Sequence, residues 1–265
     1  MDEFKNKVVL VTGASGGMGE KIACNFAKKG AFLTLCGRDQ EKLSKVAKKC
    51  EEEGAPKLPI KSFGISGHYI CADLVKVENV DRIVEETVSK LGQIDVLVNN
   101  AGYGITGDIE TAKVEDFDKL FAVNVKAPFY LTQQCVPHLK KTKGCIVNTS
   151  SLVTTVCRTY VLHHSMGKCA IDHLTKSSAL YIFKVQKLFN SFSPGVTKTD
   201  FFERMVGPEG AKKIIENAHA LHPLGETCLE PQEVADTVLY LASNGARCIT
   251  GICLETARGR NVTGH

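Results

Sequence analysis

Several features that would redirect the reading are missing from this chain of 265 residues. No apolar run approaches the roughly 20 residues that a membrane-spanning helix needs, so no membrane partner is expected. The eleven cysteines include no Cys-x-x-Cys pair, and their odd number argues against a disulfide framework. Cys24, Cys71, Cys145 and Cys169 sit inside apolar patterns, where a thiol behaves as a small hydrophobe. Reduced, buried thiols and a cytoplasmic location are the expectation. The opening Met-Asp-Glu-Phe-Lys enters a strand almost at once and leaves no room for a signal peptide. Excess charge is missing too: 33 Lys and Arg against 29 Asp and Glu give a net +4. That suits an anionic small molecule and makes no case for nucleic acid. Adjacent His163 and His164 would point in different directions from a helix, and no carboxylate or thiol has ligand spacing, so no metal site is expected. Repeats, low-complexity tracts and interdomain linkers are absent as well, which predicts one domain over residues 1–265.

What is present starts with Lys7-Val8-Val9-Leu10-Val11-Thr12-Gly13-Ala14-Ser15-Gly16-Gly17-Met18-Gly19. Four consecutive apolar residues read as a strand buried on both faces. Ile22, Ala23, Phe26 and Ala27 then recur at helical spacing, so strand, glycine turn and helix come in direct succession. In that context Gly13 supplies a special backbone conformation, Gly17 lets the main chain approach a pyrophosphate, and Gly19 lets helix and strand pack closely. The helix N-terminus offers free N–H groups and a positive dipole end to phosphates. Glycine turns of this kind also occur without ligands, but four glycines opening an amphipathic helix favour nucleotide binding.

Strands and helices then alternate. The second strand, Ala31 to Cys36, is followed by Gly37 and Arg38 where a site for an unphosphorylated ribose usually places an acid. A guanidinium there would pair with a ribose 2′-phosphate, while Asp39 caps the next helix. Residues 54–67 read as a loop. His68 to Ala72 reads as a strand ending in Asp73, which either contacts an adenine edge or caps the next element. A helix from Val77 to Leu91 precedes a fourth strand, Ile94 to Val98, ending in Asn99-Asn100-Ala101-Gly102. A long helix from Val114 to Leu139 carries Asn124, whose amide is explained equally by satisfying a backbone group or by a site role. The fifth strand, Gly144 to Asn148, ends in Thr149-Ser150-Ser151, and hydroxyls at a strand's carboxyl end lie where ligands bind in open α/β sheets. A helix from Leu162 to Phe183 puts His164 and Lys168 one turn apart on one face. Lys187 to Phe192 is a sixth strand, and a short helix is expected near Ala211–Ala218. A helix opens at Pro231, and a strand near Ile252–Glu255 closes the fold. The fold class that results is α/β: a doubly wound, Rossmann-type domain with a seven-stranded, mostly parallel sheet and helices on both faces.

The chain resembles the short-chain dehydrogenase/reductases along nearly its whole length. The matching pieces are Thr12-Gly13-x3-Gly17-x-Gly19, Asp73, Asn99-Asn100-Ala101-Gly102, Asn124, Ser151, Lys168, Pro194-Gly195 through Thr199, and Ile249-Thr250-Gly251. The resemblance implies a dinucleotide site built from Gly13, Ser15, Gly17, Met18, Gly19, Arg38, Asp73, Asn100, Ala101, Gly102, Lys168, Pro194, Gly195, Val196 and Thr199, with Arg38 favouring NADP over NAD. It further implies an Asn-Ser-Tyr-Lys active site for hydride transfer between nicotinamide and a carbonyl or secondary alcohol. Asn124, Ser151 and Lys168 carry over. So does the family's helix-to-helix seam, which implies a homodimer or homotetramer through the Asn124 helix and the helix that starts near His164.

The Tyr does not carry over. The family's Tyr-x-x-x-Lys reads His164-Ser165-Met166-Gly167-Lys168 here, and the 13-residue offset from Ser151 to His164 is the family's usual interval. Tyr160 lies eight positions before Lys168 and would reach the cleft only from the preceding loop. His164 either replaces the proton donor or marks a pocket that has lost its chemistry. Imidazole is a competent acid or base near neutral pH, but it is about 2 Å shorter than a phenol, and a 1 Å misplacement costs about a hundredfold. Lys168 would also disfavour the imidazolium. Two functions stay open: an oxidoreductase with altered or weakened proton transfer, or a dinucleotide-binding protein with a structural or regulatory role. Residues 196–227 and the loop from Ser151 to Tyr160 are expected to shape a substrate pocket. Phe192, Phe201, Phe202, Met205, Val206 and Leu221 would line it for an apolar alcohol or carbonyl.

Overall fold

The computed structural model describes residues 3–56, 68–182, 188–219, 222–225 and 228–262. The strands are β1 (Val8–Thr12), β2 (Phe32–Gly37), β3 (His68–Cys71), β4 (Val96–Asn99), β5 (Cys145–Thr149), β6 (Leu188–Pro194) and β7 (Cys253–Thr256). Between them run α1 (Gly17–Lys28), α2 (Gln40–Glu52), α3 (Val77–Leu91), α4 (Val114–Phe121), α5 (Ala127–Thr142), α6 (Leu162–Ile182), α7 (Phe201–His219) and α8 (Pro231–Ala242). The seven strands order as β3-β2-β1-β4-β5-β6-β7. All six pairings are parallel. Chain order reverses between β1 and β4, which opens a crevice at their carboxyl ends, where doubly wound sheets take ligands.

The alternation of side chains along each strand splits the core into two layers. Val9 and Val11 of β1, Val96 and Val98 of β4 and Val147 of β5 face Ile22, Phe26, Leu43, Val234 and Val238 of α1, α2 and α8. Leu10, Leu97, Ile146 and Phe189 face the other way, onto Ile83, Val84, Leu131 and Leu139 of α3 and α5. Both faces are covered, so the central strands read as unbroken apolar runs.

Polar side chains tie the carboxyl ends together. Thr12 Oγ1 accepts from the Asn100 and Ala101 amides (3.0 Å each) and donates to the Val98 carbonyl (3.3 Å). Asn100 Nδ2 reaches back to the Thr12 carbonyl at 2.9 Å. One strand further on, Asn99 Nδ2 donates to Asn148 Oδ1 (2.9 Å), and Asn148 Nδ2 donates to Thr175 Oγ1 of α6 (3.0 Å). At the opposite edge, Asp95 accepts from the Val8 amide (2.8 Å) and pairs with Lys7 (3.0 Å). With Asp95 so engaged, β4 begins at Val96, two residues after the expected start.

Three further expectations need correction. The helix expected from Val114 to Leu139 is interrupted by a wide π turn at Ala122–Lys126, centred on Asn124. The short helix expected near Ala211–Ala218 is the second half of α7, which begins at Phe201 and bends at Gly207 (φ 75°) ahead of Pro208. Cys71 and Cys169 are exposed, one at the end of the edge strand and the other on the outer side of α6, while Cys24 and Cys145 are buried as expected. All eleven cysteines are free thiols. Asp39 caps α2 as expected, accepting from the Lys42 amide at 3.0 Å. Most of the expected loop 54–67, together with Phe183, Lys187 and Leu221, lies outside the described residues.

Thr12→Val keeps the shape at the crevice and removes the acceptor for the Ala101 amide. Losing the hydrogen bond to this half-buried N–H costs about 1 kcal/mol. Denaturant unfolding of this variant should show a loss of that size, with the slope unchanged.

Candidate active site

A cleft of about 310 Å³ crosses the carboxyl ends of β1, β2, β3 and β4. Gly13, Ser15, Gly17, Met18, Gly19, Arg38, Asp73, Asn100, Ala101, Gly102 and Thr199 all line it. The α1 N-terminus supplies one wall, and close contacts demand its glycines. A Cβ on Gly19 would fall 2.1 Å from the Gly13 carbonyl oxygen, and Gly17 holds φ +56° beneath Thr199. Gly16 differs: a side chain there would meet nothing within 4 Å, because its Cβ position opens onto cleft space. Backbone bare of side chains at a helix N-terminus fits a pyrophosphate. Asn100 Oδ1, buried and without a hydrogen-bond partner, marks a further polar position in that wall. The residues present therefore fit a dinucleotide.

At the far end of the cleft Arg38 is exposed, and Lys42 joins it from one turn inside α2. The sequence reading missed Lys42, although its i+4 spacing from Arg38 across the helix start was visible. Asp73 lines the cleft and accepts from the Val75 amide at 3.2 Å, while the N-cap position of α3 is Lys76, with no side-chain cap.

Beside the cleft lies a second cavity of about 130 Å³, lined by Ser151, Tyr160, His164, Pro194, Gly195, Val196, Phe201, Phe202 and Met205 among others. Phe201, at the start of α7, lines both spaces. Tyr160 arrives from the loop, as its spacing predicts. Phe192 does not take part: it is fully buried in the core layer of α1 and α8, because β6 turns it away from the cavity. Val206 does not line the cavity either.

Asn124 and Lys168 line neither space. Both lie beneath Gly102, where a Cβ would come 3.1 Å from Asn124 Oδ1 and 3.7 Å from Lys168 Nζ. Asn124 clamps the Tyr103 backbone from both sides, accepting from its N–H (3.1 Å) and donating to its carbonyl (2.8 Å). The wide turn of the helix presents this amide, and Tyr103 was invisible as its partner from sequence alone. Lys168 Nζ donates to the Thr149 carbonyl at 2.7 Å. Its side chain is only 5% exposed, and burial draws its pKa down to about 8.

His164 is 7% exposed, with its ring 5.7 Å from that of Phe201. Its Nδ1 is buried without a hydrogen-bond partner, and the Tyr103 backbone lies near the ring. Burial first, and the Lys168 charge second, lower the imidazole pKa to about 3. The ring is neutral at physiological pH. His163 points elsewhere, edge-on to Phe117. Among the described residues no cluster of metal-ligating side chains occurs, and no helix is long and apolar enough to cross a membrane.

A folded-state pKa below the unfolded value near 6.5 means that the unfolded chain takes up the proton first. The stabilisation from neutral His164 is complete above about pH 6.5 and is lost as pH falls towards 3. Between pH 6.5 and 4.5 this amounts to about 2–3 kcal/mol. Urea unfolding at pH 7.5 and 4.5 should therefore show a smaller acid loss for His164→Phe than for the native chain.

Residues 13–261 match the family described as Enoyl-(Acyl carrier protein) reductase. The chain is 33% identical over 260 residues to the meso-2,3-butanediol dehydrogenase of Serratia marcescens, covering 98% of this chain and 96% of that one. It is 32% identical over 266 residues to the glucose 1-dehydrogenase of Gluconobacter oxydans, covering 99% and 95%. Among solved structures, the 3-ketoacyl-(acyl-carrier-protein) reductase of Brucella melitensis, complexed with NADH, superposes with a TM-score of 0.84 at 27% identity, covering 97% and 99%. With its sheet order, glycine turn and buried Asn124–Lys168 pair, the chain belongs to the short-chain dehydrogenase/reductase family of oxidoreductases.

Proposed function

We propose that the whole chain acts as one NADP(H)-dependent oxidoreductase unit on an apolar carbonyl or secondary alcohol, with weakened proton transfer at His164. The observation that carries this reading is the junction at Phe201, where a cleft with a bare helix N-terminus meets an apolar cavity holding Ser151 and His164. The bound dinucleotide supplies or accepts the hydride. Gly13, Gly17, Gly19 and the α1 N-terminus hold its pyrophosphate, Asp73 and Asn100 to Gly102 its adenosine and ribose portions, and Arg38 with Lys42 the 2′-phosphate. Thr199 contacts the dinucleotide from the cleft wall, and Pro194, Gly195 and Val196, which line the adjoining cavity, contact it from the end of β6 onward; the substrate segment 196–227 follows, largely filled by α7. Ser151 hydrogen-bonds the substrate oxygen. His164 stands in the family's Tyr position, but as a buried, neutral ring it is a poor acid. Lys168, titrating at about 8, holds the mobile proton over the working pH range. Phe129 and Leu180, 49% and 79% exposed on α5 and α6, support self-association as a dimer or tetramer.

A second reading rests on the same ring. Its neutrality suits a dinucleotide-binding protein that does no chemistry.

Two measurements test these readings. Calorimetric titration should show NADP binding at least about tenfold more tightly than NAD, and Arg38→Ala should remove that gap, which reflects one charge-assisted contact of about 1.5–3 kcal/mol. Equal native dissociation constants would reject the preference. A carbonyl-reduction pH profile should fall above about pH 8 as Lys168 loses its proton and show no inflection near 6.5. His164→Tyr should raise turnover by about 10²–10⁴-fold. Flat, inactive profiles for both proteins, with dinucleotide still bound, would favour the second reading.

A further inference from the structure

Two buried thiols that hydride transfer does not use meet between α1 and α2. Cys24 is 3% exposed and Cys50 1%, and their sulfurs lie 4.0 Å apart in hydrogen-bond contact. Cys50 ends the buried stripe Leu43, Val46, Ala47 and Cys50 of α2, and Cys24 stands in the buried run of α1 from Ile22 to Ala27. Both helices pack into the same core layer, which delivers the two side chains to one another. A disulfide holds its sulfurs about 2.05 Å apart. Closing this pair therefore takes roughly 2 Å of travel, shared between side-chain rotation and a small approach of the helices.

The surroundings set the two sulfurs apart. The hydrogen bond from Cys50 draws the Cys24 pKa below the ordinary thiol value against the effect of burial, and the Lys49 ammonium helps. The same bond, and then burial, push Cys50 up, so Cys50 keeps its proton. In thiol oxidation the thiolate is the nucleophile, and a second thiol beside it resolves the product. At the surface beside the pair, Lys49 Nζ bonds Glu20 Oε1 at 2.6 Å, and both side chains are partly exposed. Ion pairs of that kind contribute little stability, so this one parts in local openings and admits a molecule close to water in size.

We propose that Cys24 and Cys50 form an oxidation site for hydrogen peroxide, whose product is a disulfide stapling α1 to α2. Cys24 Sγ attacks one peroxide oxygen; an S–O bond forms, the O–O bond breaks, and the first water leaves with the Cys24 proton. Cys50 Sγ then attacks the sulfur of the resulting sulfenic acid; the S–S bond forms, the S–O bond breaks, and the second water leaves with the Cys50 proton. The two thiols together lose two electrons and two protons, and the peroxide gains both. The site is independent of the dinucleotide reaction.

The test is a peptide map of the whole native chain. The exposed thiols Cys71, Cys157, Cys169 and Cys248 are first capped with N-ethylmaleimide. The folded protein is then treated with hydrogen peroxide and digested with trypsin without reduction. Peptide 22–28, which carries Cys24, should be found joined to peptide 50–57, which carries Cys50, two hydrogens lighter than their sum and released by dithiothreitol. The thermal midpoint of the oxidised protein should rise by about 5–10 °C, and dithiothreitol should return it. Cys24→Ala and Cys50→Ala should show neither the link nor the rise, and the native map decides the proposal whether or not these variants fold. Oxygen added to either sulfur without a link, both sulfurs unchanged, or a link without a rise in midpoint would each overturn the proposal.

Discussion

The crevice between β1 and β4 depends on one hydroxyl. Thr12 Oγ1 accepts two consecutive backbone amides from the far strand and donates to a carbonyl of the same strand. Parallel pairing between β1 and β4 ends at Val11 and Val98, so the main chains diverge there and would otherwise leave Asn100 and Ala101 without strand partners. The hydroxyl closes that gap and fixes where Asn100 to Gly102 run. Gly102 in turn lies directly above Asn124 and Lys168, so the placement of the buried pair depends on a contact several residues away. Ligand-facing geometry in this fold is thus set by side chains that themselves face the protein.

Much of this was legible where the pattern is local. The glycine turn, α1 and the bounds of α3 are set by residues near one another in sequence, and α3 stops at Gly92 with φ +81°, a conformation natural to glycine. The α7 helix was under-read because Gly207 and Pro208 look like a break, whereas the chain bends there and continues. The wide turn at Ala122–Lys126 left no trace in the periodicity. It arises because Asn124 pairs with Tyr103, a residue 21 positions away. Phe192 looked like a pocket residue from its neighbourhood, yet strand alternation sends it into the core.

The electrostatics around His164 and Lys168 set an imidazole apart from a phenol in the same surroundings. A phenol beside a lysine ammonium is helped by it, because the charged form of the phenol is an anion. An imidazole beside the same ammonium is hindered, because its charged form is a cation. Burial acts in the same direction on His164 and Lys168, disfavouring the positive state of both. The two groups disfavour each other's charge, and the lysine keeps its proton to higher pH.

The distribution of thiols gives the fold a built-in record of its own breathing. Cys24, Cys50 and Cys145 lie in the layer beneath α1, α2 and α8, while Cys36 and Cys135 lie in the layer beneath α3 and α5. Burial pushes Cys36 and Cys145 up to about 12, so these sulfurs stay protonated and inert while the protein is closed. Cys71, Cys157, Cys169 and Cys248 face solvent and react without any opening. An alkylating reagent therefore meets one set of sulfurs at once and the two inner sets only when their own layer loosens. The order in which those inner sets are labelled reports which side of the sheet opens first.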